Sequence, residues 1–298
     1  MAKGFSIHIG LNNVDPNSYG GWDGQLRACE ADAHSMKTIA DSRGFSSTLI
    51  RTKEATAERV LGEIREAAKK LEGGDILLLT YAGHGAWIPD PEEPGKKVGT
   101  WVLYDRMVIS HELYRLWGDF KPGVRIFVIS DSCHSGTVTR FMVANFYAGF
   151  PLSTTLRDFR GHYTERGDEG EEAIKKAGVG SDFLERGMPP DVRQNLLVLQ
   201  KAFYEQLSRD NPRSLRDAIG ASVLLISGCQ VNQTSADGLN NGLFTAALLL
   251  VWDKGHFHGD YPEFHRRIIH RLPATQVPNY FKVGVENPLF EHQTPFQI

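Results

Sequence analysis

Hydrophobic and polar positions follow two rhythms along the first half of the chain. Phe5 to Leu11 and Ser47 to Arg51 are runs of strand length. Asp75 to Tyr81 and Val124 to Ser130 are further runs of that length, and these are almost continuously apolar. Between the strands, Gly24 to Ser42 carries Leu26, Cys29, Ala33, Met36 and Ile39 near a helical period, and Gly44 marks its end. Thr56 to Leu71 places Val60, Ile64, Ala67, Ala68 and Leu71 on one face behind a Thr56 cap. Arg59 stands where a capping box needs an acid, so only the threonine half of that motif is present. Strands this apolar are buried on both faces, which predicts a mostly parallel sheet covered by helices.

The middle of the chain breaks the pattern. Leu152 to Pro190 is rich in Arg, Asp, Glu and Gly, and it holds Arg157, Arg160, Arg166, Lys175, Lys176 and Arg186 without a long apolar run. It reads as a solvated connection or large surface loop. A helix from Val192 to Leu207 follows. Core patterning then returns with a strand over Ala221–Ser227, helices over Gly242–Trp252 and Tyr261–Arg271, and a short strand at Tyr280–Val283. The organisation is therefore one domain over 1–298: a first part to residue 150, a charged linker over 151–190, and a closing part over 191–298. No internal repeat is visible.

Composition removes several function classes. At 298 residues, 41% hydrophobic and 23% charged, the chain can bury a large core and is not of the disordered type. A net charge of -3 calls for neither nucleic acid nor an anionic membrane as partner. The N-terminal residues lack a signal-peptide pattern, and the apolar run Phe244–Trp252 is too short to span a bilayer. Cys29, Cys133 and Cys229 form no CxxC pair and no disulfide framework, so a reducing, cytoplasmic setting is expected.

Two of the apolar strands run directly into unusual loops, Ala82-Gly83-His84-Gly85 and Asp131-Ser132-Cys133-His134-Ser135-Gly136. In open parallel sheets, ligands bind beyond the carboxyl ends of strands. Thiol catalysis needs a thiolate and a proton carrier within hydrogen-bond reach, and a histidine can serve as base and then as acid. Gly85 and Gly136 allow close backbone approach, and N–H groups beside the nucleophile can hold an oxyanion. His84 precedes Cys133 by about 50 residues, the spacing of the caspase pair, although the local caspase signature around the cysteine is absent.

These paired motifs, in this order and at strand ends, resemble the two catalytic motifs of metacaspases and their bacterial relatives. The resemblance extends to Cys29-Glu30-Ala31-Asp32 and to Ser227-Gly228-Cys229-Gln230 through Ser235-Ala236-Asp237-Gly238, covering most of the chain outside the linker. It implies a caspase-like three-layer α/β sandwich with a mostly parallel six-stranded sheet and helices on both faces. It implies a cysteine endopeptidase with Cys133 as nucleophile, His84 as base, and the N–H groups of Gly85 and Cys133 as oxyanion donors. Cleavage after Arg or Lys is implied by Asp32 and Asp131, which match the carboxylates of the family's basic pocket. Cys29 matches a neighbouring pocket position, and a monomer is implied. A pair of carboxylates suits a guanidinium on physical grounds as well.

Two departures stand out. Ala82 replaces the serine common two residues before the histidine, removing a hydroxyl from the pocket wall. Many metacaspases require calcium, bound by an acidic loop after the histidine motif. Here Pro89 to Thr100 holds few carboxylates and two lysines, too few oxygens for a strong site, and the dyad chemistry itself needs no cofactor. Plainer readings apply to other residues. His134 serves its loop, Cys29 and Cys229 are buried apolar residues, and His256, His258, Asp253 and Asp260 belong to a turn rather than to a metal site. Asn232-Gln233-Thr234 is a glycosylation sequon without meaning in the cytosol. The basic linker suggests self-cutting between Arg157 and Arg186. The alternative is a catalytically silent caspase-like module that binds basic peptides, and a third is another thiol acyl-transfer reaction.

Overall fold

The computed structural model describes residues 2–132, 168–179, 183–229, 235–273 and 276–298. Its strands include β1 (Gly4–Gly10), β2 (Ser46–Arg51), β3 (Ile76–Ala82), β7 (Arg125–Asp131), β9 (Ser222–Ser227) and β11 (Asn279–Gly284). These form one six-stranded sheet in the order β11-β9-β7-β3-β1-β2, parallel except for the β11–β9 pair. All seven residues of β3 are buried, as a strand covered on both faces requires.

Side-chain alternation along the strands divides the interior into two cores. Leu77, Leu79, Ile126 and Val128 face helices α2 (Ala57–Lys70) and α3 (Ser110–Gly118). Leu78, Phe127, Leu224 and Ile226 face α1 (Cys29–Ser42), α7 (Leu243–Trp252) and α8 (Tyr261–His270) on the other side. Helix α4 (Asp168–Ala177) joins this second layer through Ala173 and Ala177. This is the helix-covered, mostly parallel sheet expected from the pattern, in the three-layer α/β sandwich that the resemblance implies. No helix among the described residues is long and apolar enough to cross a membrane.

A second sheet, unforeseen in the sequence, stands over the end of β3. It is an antiparallel set β4 (Gly85–Pro89), β5 (Lys97–Val102) and β6 (Met107–Ile109). The prolines and Gly95 of this stretch conceal the hairpin. Against it pack α5 (Pro190–Leu199) and α6 (Lys201–Asp210), burying Leu196 and Tyr204 with Ile88, Val98 and Met107. The continuous helix predicted over 192–207 is broken at Gln200, whose backbone leaves the helical region. A short helix α9 (Pro288–Glu291) closes the chain.

Helix α1 begins at Cys29, five residues later than the periodicity predicts. The residues before it use their backbone groups elsewhere: Leu26 N–H donates to Asn12 O at 2.7 Å and Arg27 N–H to Asp237 Oδ2 at 2.6 Å.

Candidate active site

Strands β3 and β7 are neighbours, with Ala82 opposite Asp131, so the two sequence motifs emerge side by side. The turn that carries His84 is tightly specified. Tyr81 Oη donates to the His84 carbonyl at 2.7 Å, and Val102 N–H donates to the same oxygen at 3.0 Å. A Cβ on Gly83 would stand 2.6 Å from Tyr81 Oη, so this turn admits only glycine. The imidazole is buried, with Nε2 3.1 Å from the carbonyl oxygen of Gly24 and the Trp22 ring 4.8 Å away. A carbonyl can only accept, so Nε2 carries the proton and Nδ1 presents a lone pair. Nδ1 has no hydrogen-bond partner among the described residues. Burial pushes the His84 pKa down to about 4, against the raising effect of the Gly24 carbonyl, so the ring is a neutral base at pH 7. Cys133 and His134 lie outside the described residues; Ser132, next to Cys133 in the chain, is buried at the end of β7.

Beside the histidine lies an acid pocket, and it is filled. Arg186, read from the sequence as one of the linker's solvated cations, is fully buried. The solvated reading fails for this residue because the tertiary fold surrounds it with carboxylates. Its guanidinium reaches Asp32 Oδ2 at 2.5 Å, Asp131 Oδ2 at 3.0 Å and Asp237 Oδ1 at 2.7 Å. Each carboxylate is held in turn. Asp32 accepts from Gly242 N–H and from Asn241 Nδ2; Asp131 accepts from the Ser235 and Thr245 hydroxyls; Asp237 accepts from the N–H groups of Arg27 and Ala28. Gly242 forms a wall of this pocket, since a Cβ there would come within 2.5 Å of both the guanidinium carbon and Asp131 Oδ2. Burial pushes Asp32 up to about 7, with Arg186 pulling it down. Burial works against the charge of Arg186 too, but Asp131 and its neighbours outweigh that and hold the guanidinium firmly protonated.

The backbone around Arg186 is as well defined as its side chain. Strand β8 (Leu184–Glu185) pairs antiparallel with β10 (Ala236–Asp237), and Arg186 N–H donates to Ser235 O at 3.0 Å. The Arg186 carbonyl oxygen accepts from Gly85 N–H at 3.0 Å, and Met188 N–H donates back to Gly85 O at 2.9 Å. Gly187 forms a parallel bridge with Gly85. An extended segment of this chain thus runs through the cleft as a bound peptide would, with a basic side chain in the acid pocket and its carbonyl on Gly85.

The structure brings together His84, Gly85, Asp32, Asp131, Cys29 and Ala82 of the residues singled out in the sequence. Cys29 Sγ is buried 4.0 Å from Asp237 Oδ1, and burial raises its thiol pKa well above the usual range, with Arg186 opposing. It lines the pocket as a neutral group. Sequence reasoning missed Asp237, Ser235, Gly242, the Gly24 carbonyl and Arg186 itself. The one available signal was the stretch Ser235-Ala236-Asp237, whose family likeness was visible without a role.

The hairpin after His84 was tested for calcium. Asp90 accepts from Glu92 N–H, Glu93 pairs with Lys96 and Arg213, and Glu92 accepts from Arg213 N–H. No group of three or more His, Cys, Asp or Glu that could hold a metal gathers among the described residues. These hairpin carboxylates, spent on nearby cations and amides, do not fit a calcium site.

Comparison with known proteins gives one family match, a caspase domain of the C14 peptidase class over residues 12–290. Metacaspase-1 of Saccharomyces cerevisiae is 24% identical over 260 residues, 82% of this chain and 56% of that protein. Metacaspase-4 of Arabidopsis thaliana is 34% identical over 146 residues, 44% of this chain and 33% of the relative. The chain thus spans about half, or less, of the length of these curated relatives. The crystal structure of protein GSU0716 from Geobacter sulfurreducens is similar across 99% of this chain and 98% of its own, at 40% identity and a TM-score of 0.79.

Proposed function

This chain belongs to the caspase-domain peptidase family, and on that premise we propose that it is a cysteine endopeptidase cutting peptide bonds after Arg or Lys. The observation that carries the proposal is the seating of Arg186, with three carboxylates on its guanidinium and Gly85 N–H on its carbonyl oxygen. A bound substrate would adopt the same pose. Cys133 attacks the carbonyl carbon of the basic residue, and the N–H groups of Gly85 and Cys133 stabilise the oxyanion. His84 takes up the thiol proton at Nδ1 and delivers it to the leaving amine; water then hydrolyses the thioester. The dyad requires no cofactor for these steps. The substrate is a peptide or protein, met by a monomeric enzyme in a reducing compartment such as the cytosol.

The same pose favours Arg186–Gly187 as the bond for self-processing in the linker. While the chain is intact, Arg186 occupies the place of a substrate residue, so the uncut protein is latent. Full occupancy would also suit a silent module that binds basic peptides, and one experiment separates the two. Fluorogenic peptides ending in Arg, Lys or Asp are offered to the wild type and to Cys133→Ala, with and without calcium. Cleavage after Arg and Lys that disappears in the variant supports the peptidase; cleavage after Asp overturns the pocket; binding without cleavage supports the silent module.

A further inference from the structure

Beyond the basic residue at the cut, the cleft has a second selective position. Along β8 the side chains alternate: Arg186 points into the acid pocket, Glu185 is exposed, and Leu184 returns to the Arg186 side. Leu184 packs on a small apolar cluster of Leu26, Cys29 and Ala82 that stands apart from the three larger cores. All three cluster residues are buried. They come from the loop before α1, from the first residue of α1, and from the last residue of β3. Ala82 is the position where the family resemblance leads one to expect serine.

Resting on the endopeptidase reading, we infer that Leu26, Cys29 and Ala82 form a subsite for an aliphatic side chain two residues before the cleaved Arg or Lys. The occupant is an extended peptide with an aliphatic residue, then an unconstrained one, then the basic residue. Pairing with β10 fixes this spacing, because Leu184 lies opposite Asp237 and Glu185 opposite Ala236. A carboxylate at the aliphatic position would be carried onto apolar surface beside the Asp237 carboxylate.

The test measures kcat/KM for three fluorogenic tripeptides, Leu-Glu-Arg, Ala-Glu-Arg and Asp-Glu-Arg, with the full chain and with an Arg186→Ala form whose pocket starts empty. Leu is expected to exceed Ala by about tenfold, and Asp to fall further below, given the area a leucine buries. Leu26→Ser should reduce the Leu-over-Ala ratio to about twofold or less, a change in ratio that a general loss of folding would not produce. Equal cleavage of the Leu and Ala peptides overturns the subsite while leaving the peptidase in place. Failure of both forms to cut any of the three overturns the peptidase reading and the subsite with it.

Discussion

The chain on the two sides of the Arg186–Gly187 bond is held by different forces. Before the bond, the grip is chiefly charge: one buried guanidinium among Asp32, Asp131 and Asp237, with a two-residue strand pairing and the small apolar seat of Leu184 behind it. After the bond, the grip is apolar. Met188 is buried in a cluster with Val14, Tyr19, Ala86 and Ile88, and α5 and α6 extend that contact. Met107 N–H donates to Tyr204 Oη at 3.1 Å, Gln200 Nε2 donates to Ser18 O at 3.2 Å, and the Arg193 guanidinium lies 3.5 Å over the Trp87 ring. Charge can be exchanged for another charge, so on the proposed function an incoming Arg or Lys is expected to replace Arg186. The apolar contacts after the bond are far more extensive, so the segment from Gly187 onward is expected to stay docked after a cut.

The largest expected effect comes from Arg186→Ala. Self-cleavage at Arg186–Gly187 should fall about 100-fold or more, read by intact mass over time, and small Arg peptides should be cut without any lag. The same change leaves three buried carboxylates unpaired and should lower urea stability by about 3 kcal/mol. Lagging activity and an unchanged cut would break the comparison on its charged side. Met188→Ala tests the other side. A loss of about 2 kcal/mol is expected from the cavity, together with faster proteolysis of residues 187–210 in the cut protein, while the KM for small Arg peptides stays near that of wild type.

pH should separate the two sides by a smaller margin. Burial raises the Asp32 pKa and Arg186 lowers it, and with the guanidinium in place the carboxyl still sits at about 7. Binding a guanidinium therefore brings Asp32 down to about 7 from a higher value in the empty pocket and releases a proton, so binding is favoured as pH rises above about 7 and is little changed further below it. With Arg186→Ala, the KM for an Arg peptide should fall several-fold as pH rises from about 7 to about 9, and adding Asp32→Asn should flatten that fall. The docking of residues 187–210, followed by hydrogen exchange, should not change over the same range. The smallest effect belongs to Arg193→Ala, which removes a cation over Trp87 and should cost about 1 kcal/mol or less in urea unfolding. A cost several times larger would mean that the post-cut segment, too, is held mainly by charge.

Much of the layer structure was legible because its signals are local. The apolar runs at 75–81 and 124–130 identify strands buried on both faces, and the periodic residues of α2 identify its inward face, whatever the rest of the chain does. His84 could be read from its glycine-flanked loop just after such a run, whereas Asp131 was picked out only by the family resemblance. The β4–β6 sheet was hidden, since a hairpin interrupted by Pro91, Pro94 and Gly95 has no period to detect. Arg186 was misread because its neighbours in sequence are polar and charged, and nothing local marks it as buried.

By itself the sequence determined a mostly parallel sheet covered by helices and placed a histidine and a cysteine loop at two strand ends. Local periodicity is enough for that, while the six-stranded sandwich and the pocket candidates rested on the resemblance of the motifs to a family. Only the tertiary structure decided what fills the pocket. The partners of Arg186 come from positions 32, 131 and 237, separated in the chain but brought together by α1, β7 and β10. A buried cation is stabilised by charges that converge in space, and no local pattern encodes that convergence.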